Sequence, residues 1–241
     1  MGVYLAPRPV TDGLKVHLDV NNIKSYVSGS TLAYGLSGTI YTGALDTTVG
    51  SQLENAGIRV FTHQGDAGAE INITQDETSG LGNEMFPLYD FTIEMAFKCM
   101  GTVAVTGTQP GLVGFTYGLR TLINTSGYLY YGLDDGVSSF NNFAISATGD
   151  LRDKKWHIYQ WVNQNQTSSV YLDGELVDGP RAHPWTGSTR YPTNTTNIAR
   201  DNNNSNYQFT GSIGYFKVYD RGLSEEELTQ NFEAVRRRYG L

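Results

Sequence analysis

The C-terminal end of the chain constrains the fold most. Residues 211–219 (Gly-Ser-Ile-Gly-Tyr-Phe-Lys-Val-Tyr) read as an apolar strand. Residues 220–223 turn the corner, and Ser224 with Glu227 then offers a capping box that opens a helix over residues 225–238. Leu228, Phe232 and Val235 share one face of that helix. Arg236, Arg237 and Arg238 sit at its negative end, and Gly240 follows as a stop. The strand also changes phase, because Ile213 cannot face the same way as Phe216 and Val218 in a regular ladder. A bulge or bend near Gly214 is therefore expected.

Composition agrees with a β-rich body. Gly is 28 of 241 residues, Tyr is 16, and only 17% of residues are charged, as in a turn-rich all-β protein. A chain of this length forms one β domain that buries a core without staples. The net charge is −7, and the only basic run is Arg236–Arg238, so binding to a nucleic-acid backbone is not expected. Cys99 stands alone at the end of an apolar strand, which excludes an internal disulfide and makes it a small buried apolar group. Residues 1–5 lack the charged start of a signal peptide, and no apolar run is long enough for membrane insertion. Assembly in a reducing cytosol follows as the expectation.

Along the chain, residues 1–12 carry Pro7 and Pro9 and are read as an extended arm. That arm is either a fraying terminus or an anchor onto a neighbouring subunit. The rest, residues 13–241, is read as a single unit ending in the helix. Residues 13–20 alternate Leu14, Val16, Leu18 and Val20 with polar residues, a half-buried strand. Residues 21–43 are loop-rich. Short strands are expected near 57–61 and 68–73. Residues 91–97 place Phe91, Ile93, Met95 and Phe97 on one face. Residues 122–133 read as a hairpin turning at 124–127, and residues 155–162 are apolar on both faces, as in a central strand. Asp173–Gly174 between apolar strands is a type I′ hairpin signal.

These landmarks together resemble the concanavalin-A-like, laminin-G-like domain family. Gly211, Ile213, Phe216, Val218, Tyr219, Arg221, Leu223, Ser224, Glu226 and Glu227 fill its closing pattern. Phe91–Glu94 is similar to its first central strand, and Trp156-His157 with Tyr171, Asp173 and Gly174 to its core. The resemblance spans about residue 13 to the C-terminus. It implies a two-sheet antiparallel β-sandwich, a jelly roll, with a short C-terminal helix. The opening phrase, with Leu14, Leu18, Asp19, Asn22, Ser25 and Tyr26, looks like the start of such domains in bacteriophage virion proteins.

The fold hosts lectins, glycosidases and structural parts, so function must come from sites. A glycosidase needs two carboxylates flanking the scissile bond, and the family's glucanases align them on one strand face. No such triplet occurs; Glu94 is alone in its strand and Glu225–Glu227 belong to the helix cap. His17, His63, His157 and His183 are scattered with no metal-ligand spacing, and His157 reads as a hydrogen-bonded strand residue. No cofactor is expected. Calcium is the one ion with suitable oxygen-rich loops, at 201–206 and at Asp134-Asp135, although Asn and Asp also dominate ordinary turns. Trp185, Tyr191 and Tyr207 lie in Gly- and Asn-rich loops and suit contact with a glycan or partner, with Trp185 alternatively plugging one end of the sandwich.

The expectation is thus a non-enzymatic virion component of a bacteriophage: a capsid decoration, neck or fibre-associated protein. Its partners are other virion proteins, in a homo-oligomer or in many copies, and a host surface glycan. Pro7, Pro9 and Arg236–Arg238 are the docking candidates. The alternatives are an extracellular carbohydrate-binding module and, third, a glycoside hydrolase.

Overall fold

The computed structural model describes residues 7–28, 30, 32–37, 41–45, 50–53, 59–64, 71–75, 90–100, 111–115, 119–134, 140–182, 196–199 and 209–241. Within them the chain forms β1 (Leu14–Asp19), β2 (Leu32–Tyr34), β3 (Tyr41–Leu45), β4 (Gly50–Leu53), β5 (Arg59–Gln64) and β6 (Ile71–Gln75). There follow β7 (Phe91–Cys99), β8 (Gly111–Phe115), β9 (Leu119–Ile123), β10 (Leu129–Asp134) and β11 (Phe140–Ile145). The last strands are β12 (His157–Gln164), β13 (Thr167–Leu172), β14 (Glu175–Ala182), β15 (Thr196–Ile198) and β16 (Thr210–Tyr219), and helix α1 (Glu225–Tyr239) closes the chain. One sheet runs β14-β13-β12-β7-β16-β5-β4, with β1 also paired to β16; the other runs β11-β10-β9-β8-β15-β6-β3-β2. The described pairs are antiparallel, for example β7 with β12 and with β16.

Alternation fills the space between the sheets. Ile93, Met95, Phe97 and Cys99 of β7 join Tyr159 and Trp161 of β12, and meet Ile71, Ile73, Leu129 and Tyr131 of the other sheet in one buried cluster. Cys99 is thus the buried apolar group expected. Trp161 anchors this core, with the Phe91 and Tyr131 rings each 5.1 Å away edge-on.

The expected bulge is present. Ile213 pairs with Phe97 and Tyr215 with Ala96, so Gly214 is the extra residue. Ile213, Phe216 and Val218 all reach the core as a result. A Cβ at Gly214 would come within 2.6–2.7 Å of the Tyr239 ring, so the helix packs onto the bare bulge. The Asp173–Gly174 turn has φ of 53° and 85°, as its hairpin type demands.

Two readings need correction. Residues 13–20 do not alternate cleanly, because the register between β1 and β16 shifts between Leu14 and Val16. Leu14 therefore packs on the outside, with Val10, Tyr219 and Leu228, while Val16 and Leu18 enter the core. Likewise, β12 is apolar on both faces for a different reason. Its second face is covered by α1, where Ile158 packs with Val235 and Tyr239. The helix itself runs one residue past the expected end, and its buried face is Leu228, Asn231, Val235 and Tyr239, with Phe232 half-buried. Ser224 and Glu227 form the full capping box, and Gly240 adopts the left-handed stop, φ 77°.

Candidate binding surface

Among the described residues, the outer face of the central strands β12, β7 and β16 is closed. Its central strands align Gln160, Glu94, Lys217 and His17 in one row by register across β12, β7, β16 and β1. Glu94 and Lys217 are 0% and 2% exposed, and Lys217 Nζ donates to Glu94 Oε1 at 2.7 Å. Gln160 Nε2 donates to Glu94 Oε2 at 2.9 Å and to the Leu228 carbonyl of α1 at 3.0 Å. Burial pushes the Glu94 carboxyl up, but the Lys217 charge and these hydrogen bonds outweigh it and hold it below its ordinary value. Burial, with Lys217, pushes His17 down to about 4. Glu94, the one carboxylate of β7, is therefore a sealed structural anion.

The N-terminal arm straps this arrangement. Val10 N–H donates to Asn231 Oδ1 at 2.7 Å, Asn231 Nδ2 to Tyr219 Oη at 3.0 Å, and Tyr219 Oη to the Val10 carbonyl at 3.1 Å. Gln230 donates to the Arg8 carbonyl at 2.7 Å. Pro7 is half-buried and Pro9 exposed, on either side of this strap. Of the other docking candidates, Arg236 pairs with Glu233 at 2.8 Å, Arg238 pairs with Asp19 at 2.8 Å, and Arg237 is exposed.

His157 is the hydrogen-bonded strand residue expected. Its Nδ1 lies 2.8 Å from Asp173 Oδ2 and its Nε2 3.2 Å from Asp153 Oδ1. Burial pushes its pKa down, but the two carboxylates outweigh that and raise it. Asp173 also accepts from Ile158 N–H at 2.7 Å, so the pair fixes the hairpin turn. Among the described residues no group of His, Cys, Asp or Glu could hold a metal ion. Trp185, Tyr191, Tyr207, His183, the 201–206 loop and Asp135 lie outside the described residues, as do the side chains of His63 and Asp134.

The opening phrase proves to be turn chemistry. Asp19 N–H donates to Ser25 Oγ at 3.1 Å, Ser25 Oγ to the Tyr34 carbonyl at 2.7 Å, and Tyr26 N–H to the Asn22 carbonyl at 2.9 Å. These bonds lock the connection from β1 to β2. What they hold up is a surface that sequence reading missed. Four of the six large exposed apolar side chains among the described residues are Ile23 (78%), Val27, Leu32 and Tyr34, all from this one segment at the β2 end of its sheet, where Tyr26 bridges to Ala33. Several exposed apolar groups in one segment make a candidate contact surface, whereas singly scattered ones need no explanation. Lys24 is exposed beside Ile23, and the Arg238–Asp19 pair brings the cationic helix end against the same turn. The signal was legible as aliphatic residues placed among Asn, Ser and Gly in a loop-rich stretch.

Comparison with known proteins agrees with this architecture. The description Concanavalin A-like lectin/glucanases superfamily (Laminin_G_3) matches residues 61–229, more than half of the chain, and the chain belongs to that family. No curated protein matches the sequence. Among solved structures, the chain is similar to the binding domain of Paraclostridial Mosquitocidal Protein 1, with 17% identity and a TM-score of 0.66 over 91% of this chain and 52% of that one. It is similar to the ligand binding domain of Botulinum neurotoxin serotype D in complex with N-acetylneuraminic acid, with 14% identity, TM-score 0.68, and 93% and 51% coverage. It is also similar to the binding domain of Botulinum neurotoxin DC in complex with rat synaptotagmin II, with 16% identity, TM-score 0.70, and 94% and 52% coverage. The chain thus spans about half the length of these structures, and at such identities the likeness is one of fold.

Proposed function

We propose that this chain is a non-enzymatic binding module that works through its surface, with the Ile23, Val27, Leu32 and Tyr34 edge as its contact. The observation that carries the reading is that four exposed apolar side chains, Ile23, Val27, Leu32 and Tyr34, come from one segment tied down by the Asp19–Ser25–Tyr34 bonds. The sealed position of Glu94 supports a non-catalytic role, because the one carboxylate of the central strands is used to neutralise Lys217. Solved relatives of the same architecture are binding domains whose structures include a protein and a sugar.

The finer setting we propose is a bacteriophage virion, where the protein is a capsid decoration, neck or fibre-associated component assembled in the host cytoplasm. The resemblance of its opening phrase to that of virion proteins supports this. Other virion proteins are its first partners and a host glycan its second, with Trp185, Tyr191 and Tyr207 as the sugar candidates and Pro7, Pro9 and Arg236–Arg238 as docking candidates. Counting copies by mass spectrometry of purified particles tests the setting, and absence of the chain from particles would refute it. Ile23→Asp combined with Leu32→Asp is expected to abolish incorporation while the melting temperature stays unchanged. Normal incorporation would refute the edge as the contact.

A further inference from the structure

The two halves of α1 are held by different contacts. The first half is fixed by the capping box at Ser224 and Glu227, by Leu228 in a buried cluster with Val10 and Tyr219, and by the bonds of Asn231 to those same two residues. The second half packs Val235 and Tyr239 into a separate cluster with Ala96, Trp156, Ile158 and Tyr215. Its last turn is tied to β1 by Arg238, which donates to Asp19 Oδ2 at 2.8 Å. The second half can therefore lift while the first stays docked, a local opening that costs less than global unfolding.

His17 stands beside this last turn. It lies opposite Lys217 of β16 by register and two residues from Asp19 on its own strand. Among the described residues, the charged groups acting on it are Lys217, Asp19, Glu94 of β7 and Arg238 of α1. These are already matched, Lys217 with Glu94 at 2.7 Å and Arg238 with Asp19 at 2.8 Å. Lys15, two residues the other way along β1, is paired with Asp220 at 2.9 Å. The phenols of Tyr215, Tyr219 and Tyr239 are pushed upward by burial and stay neutral. A proton on His17 thus adds a third cation to two committed pairs. Burial first, and then Lys217, hold the docked imidazole down at about 4.

We propose that the second half of α1 is an acid-released lid: protonation of His17 lifts residues 235–239 and uncovers the apolar face of Ala96, Trp156, Ile158 and Tyr215. Lifting admits water to His17 and carries Arg238 away, which removes two of the three causes that oppose its charge. It also frees the Asp19 carboxylate to pair with the imidazolium. The sign follows from linkage. The docked value is depressed, so the open form binds the proton more tightly, and opening is favoured as pH falls from the free value of about 6.5 toward the docked one of about 4. Between about pH 8 and about pH 5 these two values raise the opening constant about 30-fold, while ordinary carboxylates stay largely ionised. His157, whose raised value acts in the opposite direction, is bound to Asp153 and Asp173 outside the lid. The lid does not depend on the Ile23 edge being a contact.

The test is amide hydrogen exchange on the whole chain between about pH 8 and about pH 5, each rate being divided by the intrinsic exchange rate at that pH. Protection of residues 235–239 is expected to fall about 30-fold over that range, with β7, β12 and the first half of α1 unchanged. His17→Gln keeps a polar side chain that takes no proton, and is expected to hold protection level across the range. Should that variant melt early, an NMR titration of the wild-type His17 imidazole is the second measurement, with an expected midpoint near 4. Protection of the helix end that does not change with pH, a fall that persists in His17→Gln, a fall shared equally by both sheets, or an imidazole titrating near its free value would each overturn the proposal. None of these results bears on incorporation into particles, so the lid and the binding-module reading fail separately.

Discussion

The ion pair beneath α1 gives a demanding test of the architecture. Glu94 and Lys217 are almost fully removed from water and 2.7 Å apart, with Gln160 and Tyr215 as further polar neighbours of the carboxylate. Removing one member of such a pair leaves a charge with neither water nor counter-ion, a loss of about 3–5 kcal/mol. A domain of this kind is stable by only about 5–15 kcal/mol. Lys217→Met is therefore expected to lower the melting temperature by roughly 6–20 °C, using about 2–4 °C per kcal/mol at this chain length. Replacing both members, Glu94→Met with Lys217→Met, removes the desolvation cost as well and is expected to restore stability to within about 1–2 kcal/mol of wild type.

The pH dependence separates this account from simple loss of packing. In the wild type, Glu94 is held below its ordinary value, so its contribution is present above the unfolded value of about 4.3 and is lost as pH falls through the folded one. In Lys217→Met the counter-charge is gone, and burial, opposed by the remaining hydrogen bonds from Gln160 and Tyr215, pushes the carboxyl up relative to wild type. The gap in stability between variant and wild type should then narrow on acidification, starting where the variant's carboxyl is protonated in the folded state and continuing as pH falls below the unfolded value of about 4.3. Urea unfolding at a series of pH values measures both quantities. A single variant costing under about 1 kcal/mol, a double variant no better than the single, or a gap constant with pH would refute the reasoning.

Other outcomes follow from the same packing. Gly214→Ala drives a methyl into the Tyr239 ring and should cost about 1–3 kcal/mol, read by thermal melting. Glu227→Ala removes half of the capping box and one of the two carboxylate partners of Arg221, and should cost about 1 kcal/mol by urea titration. Because Arg221 holds the Glu227 carboxyl down at about 2, that contribution should be present above the unfolded value and fade as pH falls toward 2. His157 is the opposite case. Its folded value is raised, so its stabilisation is full below about pH 6.5 and is lost as pH rises through the folded value. His157→Gln should flatten that limb, and an NMR titration of the imidazole gives its sign directly.

The strands with one dominant period were legible in the sequence. Residues 91–97 announce β7 because four apolar side chains sit two apart, and Asp173–Gly174 announces its hairpin because both residues tolerate positive φ. The bulge at Gly214 was legible too, since a phase change within a strand has few other solutions. Lys15 defeated the same logic in β1. The shift there moves Leu14 outward, and a single displaced leucine leaves too weak a periodic signal. Asn231 was missed as a helix-face residue because its burial depends on bonds to Val10 and Tyr219, which are 221 and 12 residues away. Lys217 and Glu94 each stood alone in an apolar strand. Only the register, which pairs them directly, shows that each explains the other.

What the charged row accomplishes bears on where this protein can bind. A sandwich sheet facing solvent would offer Thr92, Glu94, Ala96, Gln160 and Lys217 as a broad, chemically varied platform, the kind of face on which catalytic or sugar-binding groups can be arrayed. Here α1 covers that platform, Gln160 ties it to the Leu228 carbonyl, and the strap at Val10 fastens the helix from the other side. Opening the face would expose two clusters of buried apolar residues and strand the Glu94–Lys217 pair, so it is closed in the folded state. Among the described residues, contact is thereby displaced to the margins: the edge at β2, the hairpin turn at Glu175 and the two ends of the helix. Margins suit association between large bodies better than the enclosure of a small substrate, since they bury area without needing a cleft. The sealed face therefore makes turnover of a small molecule on that sheet conditional on unfolding the helix. Any turnover by the chain with α1 docked would have to arise elsewhere on it.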